Sequence, residues 1–375
     1  MEIKINHREN KLRDILLART DTEARRIERY LTMPDLSRTL GSPLEEMVKR
    51  VKAVPILADF DVIDIPEIVP ASVSFDLFNF APDHPARSKS DTYYVDDKNI
   101  LRTHDTVFWY YYLNEPQIKI RIANQEPLGT LCYGKVYRKD EIDRRHMNIF
   151  HQMGGWYLVP DSEKTLTIED LKNALSEIIK SIFGPEIKYR FNPDTFPYTD
   201  PSLEAEVEVD GKWVEILGGG MVRKSVLANM DVTSYNGWAF GFGLERLAII
   251  SMELPDIRLL WSNDERVKRQ LKLGNKFKEV SKYPSVTRDI SFIVPNTFVP
   301  NNYFDLIRDI GGNLIEEVTL LDKYENVAKF GADKISYTYR IIYRSTERTL
   351  TTDEIDPLHQ KIETETKTQF QAEIR

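Results

Sequence analysis

A glycine-rich segment limits most strongly how this chain can fold. It reads Asn236-Gly-Trp-Ala-Phe-Gly-Phe-Gly-Leu-Glu-Arg-Leu247, and apolar helix-forming residues continue to Met252. Glycine lets a backbone pass close to a ligand, and Arg246 adds a permanent positive charge. The pattern predicts a strand, a glycine turn and a helix carrying Arg246, an arrangement that suits a phosphate-bearing substrate. The spelling matches neither the Lys-Ser/Thr phosphate loop nor the dinucleotide fingerprint, and a tightly packed strand-to-helix corner is the alternative.

Composition indicates a globular protein of two or three domains. The chain has 375 residues, 41% of them hydrophobic, and no apolar run reaches membrane length. Cys132 is the only cysteine, which excludes disulfides and cysteine-rich zinc sites and fits a reducing compartment. Because the first residues have no signal- or transit-peptide character, we expect a cytoplasmic protein, with a mature organellar enzyme as the alternative. The net charge of −8 argues against indiscriminate nucleic-acid binding but allows a local basic surface.

Hydrophobic periodicity divides the chain into four segments and predicts an α+β fold. We expect a helical segment at 1–55, a strand-dominated domain at 56–262, a polar and basic linker at 263–276 and a small domain at 277–375. The segment 56–262 contains most of the candidate binding and catalytic residues, and the segment 277–375 has the pattern of a separate small domain.

Two helices are predicted from their caps. Ser42 is followed by Pro43 and, three residues after the cap, by Glu45, which is the pattern of a capping box with proline at the first helical position. Thr167 is placed to cap a second helix, which Gly184 ends.

The small domain has the order β-α-β-β-α. Apolar residues alternate around Ile290 and Tyr339 as in half-buried strands, and Asn302 is the predicted cap of the helix between them. This order suggests a split βαβ, ferredoxin-like sandwich. With 13 basic and 16 acidic residues the domain has a net charge of −3, so an RNA-binding face depends on the position of individual arginines. The candidates are Arg288, Arg340, Arg344 and Arg348. A purely structural role is the alternative.

A hairpin in the middle domain suggests a nucleotide site. Arg138 ends one strand and Phe150 begins the next, so the two can face each other across the pair. A guanidinium binds phosphate through two parallel hydrogen bonds, and an aromatic ring stacks on a base. His146, in the connecting loop, is placed to touch an outer phosphate. A solvated hairpin tip with a core phenylalanine is the alternative.

A second hairpin brings two carboxylates together. The turn Asp210-Gly211 sets Glu206 opposite Glu215. Directly opposed carboxylates repel unless solvent or a cation lies between them, and hard oxygen ligands suit Mg²⁺ that shares its shell with substrate phosphates. We therefore expect a metal site at Glu206 and Glu215, with a solvated acidic face as the alternative.

Together these segments resemble the single-chain, mitochondrial-type phenylalanyl-tRNA synthetases, which are class II aminoacyl-tRNA synthetases. The resemblance covers the chain from about residue 40 to 375. Its motifs include Phe75-Asp-Leu-Phe-Asn79, Asp83-His-Pro-Ala-Arg87, Leu101-Arg-Thr-His104, Phe150-His-Gln152, Phe196-Pro-Tyr-Thr199 and the glycine segment through Arg246. The last hundred residues resemble the family's ferredoxin-fold anticodon-binding domain.

The resemblance implies a fold and a reaction. The fold is a class II synthetase core, a mostly antiparallel sheet flanked by helices, joined to the ferredoxin-like domain. The reaction attaches phenylalanine to its tRNA: ATP, with Mg²⁺, gives phenylalanyl-adenylate, and the acyl group then passes to the terminal ribose. The partners are tRNA(Phe) and phenylalanine, no membrane is involved, and the single-chain organisation implies a monomer.

The resemblance also implies roles for individual residues. Arg138 matches the arginine on the α-phosphate of ATP, His146 and Arg246 match residues on the outer phosphates, and Phe150 matches the ring under adenine. The residues that match positions around the amino acid are His104, Thr106, Asp140 and Gln152 for its polar groups, Phe196 and Tyr198 for its ring, and Ala239 for the pocket floor.

Three residues depart from the family pattern. Gly154 stands where the family usually has a carboxylate for the substrate ammonium, so Asp140, Gln152 or a water must serve instead. Tyr198 replaces the usual phenylalanine, which leaves open a relaxed specificity between phenylalanine and tyrosine, and Thr106 replaces serine. Two further functions stay open: a non-catalytic regulator that binds RNA or an amino acid, and an adenylate-forming ligase for a small acid.

Overall fold

The structure, a computed structural model, describes residues 1–5, 9–139 and 143–375. It consists of two compact units, Met1–Phe277 and Lys278–Arg375, each with its own hydrophobic core. The finer division of the first unit into helical segment, catalytic domain and linker stays a prediction. Within the described ranges no helix is both long and apolar enough to cross a bilayer.

The first unit combines a large sheet with helices. Its strands are β1 Glu2–Lys4, β2 Asp61–Asp64, β3 Ile68–Pro70, β4 Asn99–Leu101, β5 Leu128–Tyr137, β6 Ile149–Pro160, β7 Tyr189–Phe196, β8 Thr199–Val209, β9 Lys212–Val222 and β10 Tyr235–Gly243. Its helices are α1 Glu9–Leu17, α2 Thr22–Thr32, α3 Pro43–Lys52, α4 Ala71–Phe75, α5 Phe108–Asn114, α6 Pro116–Ala123, α7 Ile168–Phe183, α8 Lys224–Ala228, α9 Leu244–Met252 and α10 Glu265–Lys268.

The large sheet has eight strands in the order β1-β2-β5-β6-β10-β9-β8-β7. The pairs β1–β2 and β2–β5 are parallel, and the other neighbours pair antiparallel. This confirms the mostly antiparallel sheet expected from the resemblance. Strands β6 to β10 carry about half of the residues expected at the site, and the other described ones lie in turns, loops and a helix that adjoin these strands.

The caps seen in the sequence begin the helices that flank this sheet. The Ser42 hydroxyl accepts a hydrogen bond from the backbone N–H of Leu44 at the start of α3, at 3.2 Å. Thr167 and Asp170 form a complete capping box at the start of α7. Each such cap contributes about 1 kcal/mol to stability. The inner face of α7, from Leu171 to Ile182, is buried, and α7 packs on β9 and β10.

The second unit is a four-stranded antiparallel sheet with two long helices. Its elements are β11 Val286–Pro295, α11 Pro300–Gly311, β12 Ile315–Tyr324, α12 Val327–Phe330, β13 Lys334–Tyr343, α13 Thr352–Phe370 and β14 Glu373–Ile374. The strand order is β12-β13-β11-β14. This is the split βαβ arrangement that the sequence predicted, completed by the short strand β14, which the sequence did not reveal.

One predicted cap is wrong. Helix α11 begins at Pro300 with Val299 as its cap residue, so Asn302 lies inside the first turn. Proline is favoured at the first helical position, because its fixed φ suits a helix and its missing N–H would have no partner there. The proline therefore places the helix start two residues before the asparagine.

Candidate active site

The residues predicted to act on substrates surround one cleft in the first unit. The cleft has a volume of about 1150 Å³ and is bordered by β6, β8, β9, β10, the start of α9 and the turn Asp105–Val107. The predicted residues that line it are His104, Thr106, Arg138, His146, Phe150, Gln152, Phe196, Tyr198, Glu215, Ala239 and Arg246. Glu206 does not line it, and Asp140 lies outside the described residues.

Arg138 and Phe150 meet at the loop end of the hairpin formed by β5 and β6. The backbone N–H of Arg138 donates to the carbonyl oxygen of Asn148 at 3.1 Å, which extends the ladder past the end of β5. The Arg138 guanidinium carbon lies 5.1 Å from the centroid of the Phe150 ring, and its Nε donates to the carbonyl oxygen of Thr103 at 2.9 Å. The hairpin therefore presents a cation and an aromatic face together, as a nucleotide requires.

His146 lies in the loop of the same hairpin. Its Nδ1 is 2.8 Å from the Oδ2 atom of Asp143, whose other oxygen accepts the backbone N–H groups of Arg145 and His146. These hydrogen bonds hold the pKa of Asp143 below its usual range, first through the Arg145 N–H. The ionised Asp143 thus orients the half-exposed imidazole of His146 at the rim of the cleft.

The glycine segment forms the predicted strand and helix, but no glycine turn separates them, because the strand continues through Gly241 to Gly243. Strand β10 ends at Gly243, which is the cap residue of α9, and Arg246 lies in the first turn of that helix. Its side chain is about half exposed, and its Nη1 is 3.2 Å from the Oε2 atom of Glu215. The segment is a strand-to-helix corner, and its arginine faces the cleft instead of packing in the core.

Glu206 and Glu215 are opposed in the register, as the Asp210-Gly211 turn predicted. Each already has a cationic partner, because Glu206 Oε2 lies 2.6 Å from Nε of Arg190 and Glu215 pairs with Arg246. Over the residues that the structure describes, no group of three or more His, Cys, Asp or Glu side chains is placed to hold a metal ion. The two glutamates therefore do not fit a metal site built by the protein alone, and Glu215 is the one that reaches the cleft.

The inner end of the cleft is aromatic. The rings of Phe196 and Tyr198 are stacked, with centroids 5.9 Å apart and an angle of 10° between their planes. Phe78 and Trp109 contact the Tyr198 ring edge to face. Ala239 is buried on β10 and lines the same cleft, in which its small side chain takes up little space. The sequence did not single out Phe78 or Trp109, because neither stands out from other core aromatics.

His104 is held in one tautomer. Its Nε2 lies 3.0 Å from the carbonyl oxygen of Ser74, so Nε2 carries the proton and Nδ1 is an acceptor. Burial, with the nearby charge of Arg138, lowers the pKa of His104 to about 4, so the ring is neutral at physiological pH. Nδ1 is buried, and within the described part of the chain no group donates to it.

A buried aspartate beside His104 was missed in the sequence. The backbone N–H of Asp105 donates to Oε1 of Gln152 at 3.0 Å, which orients the glutamine. Asp105 is 5% exposed, and its Oδ2 has no hydrogen-bond partner among the described residues. Burial raises the pKa of Asp105 to about 7, although Arg102 and Arg138 oppose the rise. Only its place directly after His104 in the motif could have drawn attention to it.

The sequence also missed a link between β6 and α9. His151, fully buried on β6, lies with Nδ1 2.6 Å from Oε1 of Glu245, and its backbone N–H donates to Oε2 of the same glutamate at 2.8 Å. Nε2 of the same ring lies 3.3 Å from Oδ1 of Asp35, and although burial opposes it, the two carboxylates raise the pKa of His151 to about 9. Because Glu245 directly precedes Arg246, this contact fixes the first turn of α9 against the strand that carries Phe150 and Gln152.

The four arginines proposed to contact RNA each pair with a carboxylate in the second unit. The pairs are Arg288 with Asp356, Arg340 with Asp289, Arg344 with Glu316 and Arg348 with Glu354, with nitrogen–oxygen distances of 2.6 to 2.8 Å. Arg288 pairs with α13 on the helix-covered face of the sheet, whereas Arg340 alternates with the buried residues of β13 and lies on the open face. The four therefore do not form one continuous basic surface.

Models of known families match both units. Residues 29–271 match the model described as tRNA synthetases class II core domain (F), and residues 281–375 match the ferredoxin-fold anticodon binding domain. The class of the protein is thus a class II tRNA synthetase core joined to an anticodon-binding domain.

Several phenylalanine–tRNA ligases are similar over most of the chain. The chloroplastic/mitochondrial ligase of Arabidopsis thaliana is 36% identical over 323 residues, which cover 83% of this chain and 72% of the relative. The mitochondrial ligase of Mus musculus is 35% identical over 342 residues, 81% of this chain and 73% of the relative. The ligase alpha subunit of Caldicellulosiruptor saccharolyticus is 36% identical over 243 residues, 61% of this chain and 68% of the subunit.

The chain therefore belongs to the phenylalanine–tRNA ligase family, and the predicted family, fold class and enzyme class are confirmed. The cytoplasmic location expected from the sequence finds no support, because the two eukaryotic relatives are named for organelles.

Proposed function

We propose that this protein attaches phenylalanine to tRNA in two steps, through phenylalanyl-adenylate. The observation that carries the proposal is the division of one cleft into two ends. The outer end holds Arg138, Phe150 and Arg246, which suit a nucleoside triphosphate, and the inner end is an aromatic pocket above Ala239. A carboxylate in the pocket can therefore meet an α-phosphate at the hairpin.

At the outer end, the adenine ring stacks on Phe150 and the α-phosphate meets the Arg138 guanidinium. Arg246 and His146 lie farther out and take the β- and γ-phosphates. The position of Arg246 in the first turn of α9 adds the positive end of the helix dipole to its own charge. Glu215 pairs with Arg246 and must either be displaced by ATP or share the arginine with it. Both side chains are about half exposed, so breaking this ion pair costs little free energy.

At the inner end, the side chain of phenylalanine lies between Phe196 and Tyr198 on one side and Ala239 on the other. Its carboxylate oxygen attacks the α-phosphorus, the bond to the β-phosphate oxygen breaks, and pyrophosphate leaves. In the second step, a ribose hydroxyl of tRNA attacks the acyl carbon and AMP leaves. No protein nucleophile takes part, so catalysis rests on positioning and on the stabilisation of phosphate charge by Arg138 and Arg246.

ATP brings Mg²⁺ to the cleft as part of the substrate, because this ion keeps most of its shell from phosphates and water. Among the two glutamates expected to hold it, Glu215 lines the cleft and can contribute one oxygen. Glu206 is already satisfied by Arg190 and by the side-chain amide of Asn192 at 2.7 Å. In the cleft, the ion would neutralise negative charge on the phosphates of ATP.

The second unit contacts tRNA, in keeping with its match to the anticodon-binding family. Arg340 lies on the open face of its sheet and is the best placed of the four proposed contacts. Its partner Asp289 is well exposed, so an RNA phosphate can replace Asp289 as the partner of Arg340 at little cost in free energy. We further propose an organellar location, as the names of the relatives suggest, and a monomeric state, as the resemblance to the single-chain enzymes implies. Cell fractionation and a sizing column test these two points.

Amino-acid-dependent exchange of pyrophosphate into ATP, measured across the twenty amino acids, tests the proposed function. We expect exchange with phenylalanine. Exchange with tyrosine should be weaker, because its hydroxyl group would enter a pocket whose walls are aromatic. Arg138→Ala should abolish the exchange, whereas Arg50→Ala, which alters an exposed arginine on α3, should leave it unchanged. A protein that binds phenylalanine but supports no exchange would instead be a regulator.

A further inference from the structure

Asp105 is the least explained charged group of the cleft. It lies in the turn that follows His104, is 5% exposed, and has an oxygen, Oδ2, that accepts no hydrogen bond within the ranges that the structure describes. A carboxylate buried without a partner is unfavourable, and such groups are found where a ligand supplies the missing partner. Since Asp105 lines the cleft, a molecule bound there can supply that partner.

Two glycines make room for this carboxylate. Gly154 on β6 and Gly241 on β10 are directly paired in the sheet register. A Cβ atom at position 154 would lie 2.4 Å from Oδ2 of Asp105, and one at position 241 would lie 3.7 Å from Oδ1. The Asp105 carboxylate therefore occupies the space that a side chain at position 154 would need.

The surroundings of this carboxylate are suited to a cation with several hydrogen-bond donors. Nδ1 of His104 is an acceptor that the described residues leave unused, and Oε1 of Gln152 accepts only from the Asp105 N–H within that same part of the chain. These three acceptors border the aromatic pocket, in which Tyr198 and Phe196 take a ring. An ammonium group has three N–H donors and no acceptor.

We propose that Asp105 binds the ammonium group of the amino-acid substrate and takes the place of the carboxylate that the family carries at position 154. The inference rests on the proposed function, because it assigns an amino acid to the aromatic end of the cleft. It also accounts for Gly154. The negative charge that the family carries at this position comes here from Asp105, in the turn after His104, and a glycine at position 154 leaves space for the Asp105 side chain.

The substitution Asp105→Asn tests this, because it keeps the shape of the side chain and removes its charge. Calorimetric titration compares three ligands: phenylalanine, phenylalaninol, which keeps the ammonium but has no carboxylate, and 3-phenylpropionate, which has no ammonium. We expect the variant to bind the first two about 10- to 100-fold more weakly, the factor for losing a charge-assisted hydrogen bond. Binding of 3-phenylpropionate and of ATP should change less than about twofold.

Equal weakening of phenylalanine and 3-phenylpropionate would show that Asp105 only supports the packing, and unchanged affinity for phenylalanine would also overturn the inference. If the variant does not fold, the wild-type protein provides the test. Its affinity for phenylalanine, but not for 3-phenylpropionate, should fall as pH decreases from about 8 to about 6, because Asp105 becomes protonated. The neighbouring His104, Cys132 and Tyr198 do not titrate in this range, and Arg102 and Arg138 stay charged.

The wild-type exchange assay separates the two ideas. If the wild type exchanges pyrophosphate with phenylalanine and Asp105→Asn binds phenylalanine normally, only the inference about Asp105 fails. If ammonium-bearing ligands lose affinity as expected but the wild type supports no exchange, the site is as proposed and the catalytic function fails.

Discussion

Asp105 should make the free protein less stable as pH rises, and Asp105→Asn should remove that dependence. Burial raises its pKa from 3.8 to about 7. A group whose pKa is higher in the folded state contributes stability below its unfolded pKa, near 4, and that contribution is lost as pH rises through about 7. At 1.36 kcal/mol for each pKa unit, the shift corresponds to a loss of about 4 kcal/mol between pH 4 and 8.

The asparagine does not ionise, but its buried amide lacks partners and costs about 1 to 3 kcal/mol at every pH. We therefore expect Asp105→Asn to be somewhat less stable than the wild type near pH 5 and more stable, by about 1 to 3 kcal/mol, at pH 8. The gain in stability would accompany the loss of phenylalanine binding, as is common for groups kept for function.

Urea unfolding followed by tryptophan fluorescence measures this effect in the relevant unit, because all five tryptophans lie in Met1–Phe277. Asp97→Asn, at a side chain that is 99% exposed, is the matched control and should leave the pH dependence unchanged. Parallel stability curves for the wild type and Asp105→Asn between about pH 5 and pH 8 would refute the argument that burial raises the pKa of Asp105.

Two pairs of substitutions test the rest of the site. Glu215→Gln should weaken Mg²⁺-dependent exchange several-fold by raising the KM for ATP. The control Glu206→Gln, outside the cleft, should change the exchange rate less than about twofold. Equal effects of the two substitutions would restore the proposal of a two-glutamate metal site. Gly154→Ala should lower the melting temperature, by about 2 to 4 °C for each kcal/mol lost, because its Cβ would lie 2.4 Å from Oδ2 of Asp105 and 2.9 Å from the Phe240 carbonyl oxygen. The control Gly241→Ala, whose Cβ would lie 3.7 Å from its nearest atom, should have a melting temperature close to that of the wild type. Equal decreases in melting temperature for the two variants would contradict the argument that Asp105 fills the space beside Gly154.

Much of the fold could be predicted because the signals are local. The Ser42 and Thr167 caps depend on residues within one helical turn, and the buried faces of α7 and β11 follow from simple periodicity. The Asp210-Gly211 turn alone fixed the register of Glu206 and Glu215. Where two local signals competed, as Pro300 and Asn302 did, the stronger backbone constraint decided the outcome.

The partners of charged side chains could not be predicted in the same way. The sequence suggested Arg288, Arg340, Arg344 and Arg348 as a binding face, but a pairing such as Arg288 with Asp356 joins residues 68 positions apart. Whether a surface arginine is available depends on which acidic residue the fold brings within about 4 Å, and no spacing rule gives that distance.

By itself, the sequence determined the family and most of the predicted site residues that line the cleft, because its motifs and periodicities are properties of neighbouring residues. Only the tertiary structure showed that Asp105 lies over Gly154, far away along the chain, and that its carboxylate occupies the space that a side chain at position 154 would need. The physical reason is that a missing side chain is visible in the sequence, whereas the space it leaves, and the group that enters it, exist only once β6, β10 and the turn after His104 have packed together.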